Sequence, residues 1–150
     1  MKMSRAKVLR KLNELPVVKG FRPLWMRRNY RQAVTMCLEE YEVFRLIDYE
    51  GLTHEQAAEE MNVSRSTVTR IYEQARKKLA RALVEGRSFF IEGGEIQLSG
   101  SHYLCEKCWH KFVYEKENPG KPVCPLCGSE QVIDLSECFI RGCHRCRRCR

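Results

Sequence analysis

Between Thr35 and Gly86 the chain sets helix-start and helix-stop signals in an order that leaves few arrangements open. Thr35 can cap a helix running to about Tyr49, with Leu38, Val43, Leu46, Ile47 and either Phe44 or Tyr41 on its apolar side. Gly51 stops it, as a residue that tolerates a left-handed backbone. Thr53 opens the next helix and Gln56, three residues on, completes a capping box. Ala57, Ala58 and Met61 give this helix a narrow face that lets a neighbour approach closely. Asn62 and Val63 then make a tight turn and Ser64 caps a third helix. In that helix Val68, Ile71, Ala75, Leu79, Ala82 and Leu83 recur at helical spacing and are expected to face the core. A helix, a short helix, a tight turn and a long basic helix make the layout of a helix-turn-helix.

The face left over on the long helix carries chemistry suited to nucleic acid. Ser64, Arg65, Ser66, Thr67, Thr69, Arg70, Glu73 and Lys77 lie mostly outside the apolar stripe. Those near the helix N-terminus are placed to meet base edges, with Arg65 or Arg70 offering the paired donors that guanine accepts. Ser66, Thr67 and Thr69 suit a phosphate or a thymine methyl, and Arg76, Lys77 and Lys78 suit phosphates. A plain helical bundle with a solvated basic face is the bland alternative.

Charge supports the same direction. The net +8 divides into +9 over residues 1–35, −4 over 36–100 and +3 over 101–150. Basic ends around an acidic middle form an electrostatic footprint for phosphates. No apolar run approaches the ~18 residues a membrane helix needs, and no signal-peptide core stands at the N-terminus, so a cytoplasmic location is expected.

The segments GLTHEQAAEEMNVSRSTVTRIYEQARKKL, EEYEVFRLIDYEGL and ALVEGRSFFIEGGEI resemble, over about residues 15–98, a family of small, uncharacterised, predicted DNA-binding proteins. The first of them also resembles the DNA-binding region four of sigma-70 factors. That resemblance implies a sigma-like helix-turn-helix on promoter-like DNA. The remainder of a sigma factor is absent, which argues against promoter melting, and a cysteine-rich tail is added.

Residues 1–34 are expected as a basic arm, helical in MSRAKVLRKLNEL and broken at Pro16, Gly20 and Pro23, with Arg27, Arg28 and Arg31 around Trp25 and Tyr30. Packing of Leu24 and Trp25 on the helices is the alternative. Residues 88–91 and 95–98 around Gly93-Gly94 read as a β-hairpin closing the 35–98 unit, and 99–102 as a linker.

Eight of the nine cysteines follow the linker. Cys105, Cys108, Cys124 and Cys127 form CxxC-x15-CxxC, the spacing of a four-thiolate Zn²⁺ site in a zinc-ribbon-like or rubredoxin-like module over 103–135, with iron as competitor. Gly128 eases the second knuckle's turn, whereas Trp109 stands at the same place in the first. Beyond, residues 136–150 carry Cys138, Cys143, Cys146 and Cys149 among arginines, a set for a second Zn²⁺, an iron–sulfur cluster or reactive thiols. His102 and His110 are expected at the surface and Cys37 as a buried or free thiol.

The fold expected is mainly α: a helix-turn-helix bundle with a short β-hairpin, followed by a small four-cysteine β module. The function expected is a sequence-specific DNA-binding transcriptional regulator on double-stranded DNA, as monomer or homodimer, with a structural or sensing metal site. The alternatives are an adaptor docking on RNA polymerase or another transcription protein, and a rubredoxin-like redox carrier. No phosphate loop, nucleophile motif or paired catalytic carboxylates point to an enzyme.

Overall fold

The computed structural model describes residues 9–24, 32–98, 100–115 and 120–140. Strands β1 (Arg10–Leu12), β2 (Gly20–Phe21) and β3 (Val34–Met36) come first. Helix α1 (Leu38–Phe44) follows and runs on as a π-helical turn, Arg45–Tyr49. Next come α2 (His54–Met61), α3 (Arg65–Glu85), β4 (Phe89–Ile91) and β5 (Ile96–Leu98). The chain then forms β6 (Ser101–Cys105), β7 (Lys111–Tyr114), β8 (Val132–Asp134) and α4 (Leu135–Ile140).

Among the described residues, eight strands in three small sheets stand beside the helices, so the chain is not the mainly-α helix-turn-helix bundle expected from its sequence. β1 lies parallel to β5, β4 lies between β2 and β3, and β6 lies between β7 and β8. The segment read as a helical arm supplies a strand instead. Its residue Leu12 is fully buried and Lys11 exposed, because β5 offers a partner edge that local periodicity does not reveal.

The expected hairpin is also absent. β4 is antiparallel to β2 on one side and parallel to β3 on the other, so both of its edges are taken and β5 goes to β1. Gly93 and Gly94 lead instead over the start of α1, where Leu38 N–H donates to the Gly93 carbonyl at 2.9 Å and Glu95 N–H to Glu39 at 3.1 Å. Long-range pairing has outcompeted a local turn signal.

The helical region follows its signals more closely. Thr53 and Gln56 exchange side-chain and backbone hydrogen bonds at 3.2 and 2.9 Å, and Ser64 Oγ accepts the Thr67 N–H at 3.2 Å. Gly51 follows the π-helical turn with φ +75°, and Asn62 ends α2 in the left-handed region at φ +54°. α1 starts later than expected: Thr35 is an exposed residue of β3 and Cys37 is the cap.

Among the described residues, two apolar clusters hold the fold. Val43, Leu46, Ala57, Ala58, Met61, Val68 and Ile71 join α1, the π-helical turn, α2 and α3. The larger cluster joins Leu12, Leu15, Met36, Leu38, Ala75, Ala82, Phe89 and Ile91 to Leu104, Leu135 and Phe139 from the C-terminal part. Leu83, expected inside, is 81% exposed, since the buried face of this turn is taken by Leu79 and Ala82 and the next residue falls to its side. No described helix is long and apolar enough to cross a membrane.

Candidate functional site

β6 and β7 form the first cysteine knuckle between them. Cys105 ends β6, and its N–H donates to the His110 carbonyl at 3.0 Å while the Trp109 N–H returns to the Cys105 carbonyl at 3.0 Å. The second knuckle repeats this pattern: Cys124 N–H to Ser129, and Gly128 N–H to the Cys124 carbonyl, both at 2.9 Å. Trp109 has φ +61° and Gly128 φ +71°. The tryptophan therefore adopts the left-handed conformation that glycine takes in the sister knuckle, and the departure seen in the sequence changes the residue without changing the turn.

The two turns aim four sulfurs at one point. Cys105 Sγ lies 3.5 Å from Cys127 Sγ, Cys108 Sγ lies 3.6 Å from Cys124 Sγ, and all four lie within 4.8 Å of one another. A disulfide would bring a pair to about 2.05 Å. Four sulfurs about 2.3 Å from a tetrahedral ion are about 3.8 Å apart, so the observed cage fits a metal ion. Cys105 and Cys124 are buried. Backbone N–H bonds from Cys108 and Lys107, working against desolvation, bring the Cys105 thiol down to about 6. Cys108 goes the other way: the His110 N–H lowers it, but desolvation and its bonds to Cys127, Cys124 and Cys105 push it up to about 12. Four thiols this close cannot all ionise unless a cation balances them.

Of the other cysteines, Cys138 sits half-buried on α4 against the larger core. Cys143, Cys146 and Cys149, the rest of the second ligand set, lie outside the described residues, as do Trp25, Arg27, Arg28, Tyr30 and Arg31 of the expected arm. Cys37 is pushed up to about 12 by burial and by Glu39 beside it, an unreactive thiol. His102, expected at the surface, is buried in β6, where its N–H donates to Ser136 Oγ at 2.9 Å.

α3 carries the other expected site. Ser66, Arg70, Glu73 and Lys77 are exposed on the side opposite Val68, Ile71 and Ala75, and Arg81 extends that line. Arg65 is exposed and pairs with Glu55 of α2 at 2.8 Å. Ser64 and Thr67 hydrogen-bond each other at 2.8 Å in the cap. Thr69 is half-buried, within 2.9 Å of His54 Nδ1. Arg76 stacks over Tyr72, whose hydroxyl donates to Asp48 at 3.0 Å. Lys78, expected to meet phosphates, is committed inward to the buried Glu40 at 2.7 Å.

Sequence reasoning missed a buried acidic face on α1. Glu39, Glu40 and Glu42 are all buried, held by Arg10, Lys78 and Arg45 respectively. Arg45 also pairs with Glu50 and Glu14, and Glu14 with Lys111 of β7. The Glu42–Arg45 spacing was readable, but the burial depends on residues 10, 14, 78 and 111, which no local pattern connects.

A family model described as "Protein of unknown function DUF134" matches residues 1–99. A UPF0251 protein of Chloroherpeton thalassium is 39% identical over 142 residues, 95% of this chain and 93% of the relative. One of Moorella thermoacetica is 41% identical over 143 residues, 95% and 94%. One of Desulfitobacterium hafniense is 48% identical over 96 residues, 64% and 77%. The first two matches run well past residue 99, so the cysteine-bearing part has a counterpart in relatives of similar length. No solved structure matches. With two thirds of its length on the family model and near-complete alignments beyond it, the chain belongs to the DUF134/UPF0251 family.

Proposed function

We propose that this chain is a sequence-specific regulator that reads double-stranded DNA with α3, with a structural Zn²⁺ held by Cys105, Cys108, Cys124 and Cys127. The observation that carries this reading is the outward side of α3. Ser66, Arg70, Glu73, Lys77 and Arg81 stand exposed along one line of a helix whose N-terminus is fixed by the Ser64 cap and the left-handed turn at Asn62. A helix so presented enters a major groove with its first turns against base edges. Arg70 then meets a base, and Lys77 and Arg81 meet phosphates. Zn²⁺ would supply no reaction here; four protein ligands leave no open position, and its work is to hold the knuckles together.

The test is selection and sequencing of genomic DNA fragments bound by metal-replete protein at near-physiological salt. One enriched motif supports the reading, and its symmetry reports monomer or dimer. Weak binding without enrichment sinks it. A second reading then takes its place, a docking module for a transcription protein such as RNA polymerase. It is favoured by Trp109 and Leu126, 66% and 69% exposed on the two knuckles.

A further inference from the structure

The four sulfurs of the cage are not equivalent toward solvent. Cys127 is exposed and Cys108 half-buried, whereas Cys105 and Cys124 are buried. Two pairs approach closely, Cys105 with Cys127 at 3.5 Å and Cys108 with Cys124 at 3.6 Å. Both pairs run from one knuckle to the other, and each couples a sulfur that solvent reaches to one that it does not. The turns closed at Trp109 and Gly128 hold this arrangement from the backbone side. A disulfide needs about 2.05 Å, so either pair closes by a movement of about 1.5 Å, which side-chain rotation supplies.

We propose that the cage is an oxidative modification site for hydroperoxides, entered at Cys127 and closed first by Cys105, which converts it in order into two disulfides between the knuckles. With hydrogen peroxide, the Cys127 sulfur attacks one peroxide oxygen. The O–O bond breaks, an S–O bond forms, and the departing hydroxide takes the thiol proton as water. The Cys105 sulfur then attacks the Cys127 sulfur. An S–S bond forms, the S–O bond breaks, and the second thiol proton leaves in a second water. Two electrons have passed from two sulfurs to one peroxide. A second peroxide does the same at Cys108 and Cys124.

Exposure sets the order, because Cys127 is the sulfur that a peroxide meets first. Proximity sets the partner, because Cys105 stands near enough to trap the sulfenic acid before it oxidises further. The bonds keep the two turns joined. Each also withdraws two sulfurs from the ligand set, so oxidation releases a bound ion. That last consequence rests on the Zn²⁺ reading, while the disulfide map is independent of it and of the role of α3.

The experiment treats the whole chain, as purified, with graded hydrogen peroxide, blocks the remaining thiols and cuts after glutamate. Peptides 96–106, 107–115, 118–130 and 138–150 then carry Cys105, Cys108, the pair Cys124 and Cys127, and the tail cysteines separately. At low peroxide, 96–106 should be joined to 118–130, with fragmentation placing the bond on Cys127 and metal released in step. At high peroxide, 107–115 should join the same species. Cys127→Ser should lose the first link and Cys124→Ser should keep it. The wild-type map decides alone where a variant does not fold. A link between 96–106 and 107–115, a link to 138–150, or sulfinic acid at Cys127 in place of a disulfide overturns the proposal. The expected map from protein that carries no metal supports it and removes the Zn²⁺ reading instead.

Discussion

Arg45 and Glu42 form a two-pronged pair inside the protein, with Nε to Oε2 and Nη2 to Oε1 both at 2.9 Å. Glu42 is 0% and Arg45 7% exposed. The Asn13 N–H also reaches Glu42 at 3.0 Å, so this pair ties the N-terminal segment to α1. Removing one partner leaves a buried charge uncompensated, at a cost of about 3–5 kcal/mol. Arg45→Met should lower the unfolding free energy obtained from urea titration by that amount, and the double variant Arg45→Met/Glu42→Leu should recover part of it. Equal stability of wild type and Arg45→Met would mean that the pair is solvated.

Acid should weaken the same region. Burial raises the Glu39 carboxyl, but bonds from the Cys37 thiol, from backbone N–H groups of Glu39 and Glu95, and from Arg10 outweigh it and leave the net shift downward. At Glu14 burial is likewise outweighed, by Lys111 and Arg45. A carboxyl lowered in the folded state stabilises fully above its ordinary value of 4.5 and loses that contribution as pH falls through the folded value. Stability measured by urea unfolding should therefore fall steadily below about pH 4.5, with a shallower slope in Glu39→Gln.

The knuckles offer a paired test of backbone conformation. A Cβ at Gly128 would meet nothing within 4 Å, so Gly128→Ala isolates the left-handed penalty. It should lower the stability of the metal-loaded protein by about 1 kcal/mol, and Trp109→Gly should raise it by a similar or smaller amount. Thermal unfolding of the loaded forms reads both. A loss of stability in Trp109→Gly would show that the indole makes a contact outweighing its backbone strain.

Chelation should separate two layers of the structure. Without its metal the β6–β7–β8 sheet is expected to lose amide protection. Leu104, 1% exposed, belongs to the core that also holds Leu12, Leu15 and Met36, so the loss should extend to β1 and β3. Leu104→Ala, which spares the sulfurs, should cost about 3 kcal/mol and bind metal with unchanged stoichiometry. Hydrogen exchange with and without chelator distinguishes this from a sheet that melts alone.

On α3, Arg70→Ala should remove preference at one base pair, whereas Lys77→Ala should weaken all sequences alike and reduce the salt slope by about one. The reverse outcome would exchange their roles.

What could be read from the sequence was local. Thr53 with Gln56, Ser64 with Thr67, and the four sulfurs at CxxC spacing are set by neighbours a few residues apart, and each stands where its pattern places it. What could not be read was set at a distance. Leu12 looked helical because its strand partner is Leu98, and Gly93-Gly94 looked like a hairpin because β2 and β3 had not been credited with both edges of β4. The burial of Glu39 and Glu40 has no local sign because Arg10 and Lys78 meet them only in three dimensions.

The parallel pairing of Arg10–Leu12 with Ile96–Leu98 has a consequence for biosynthesis. A ribosome releases β1 long before β5, while α1, α2 and α3 emerge between them. The α2–α3 corner can close on its own apolar cluster at once, but β1 must wait as an unpaired edge until most of the chain is out. Pairing of β1 thus waits until synthesis has passed Leu98, and a nascent chain stalled before Ile96 would present β1 to chaperones.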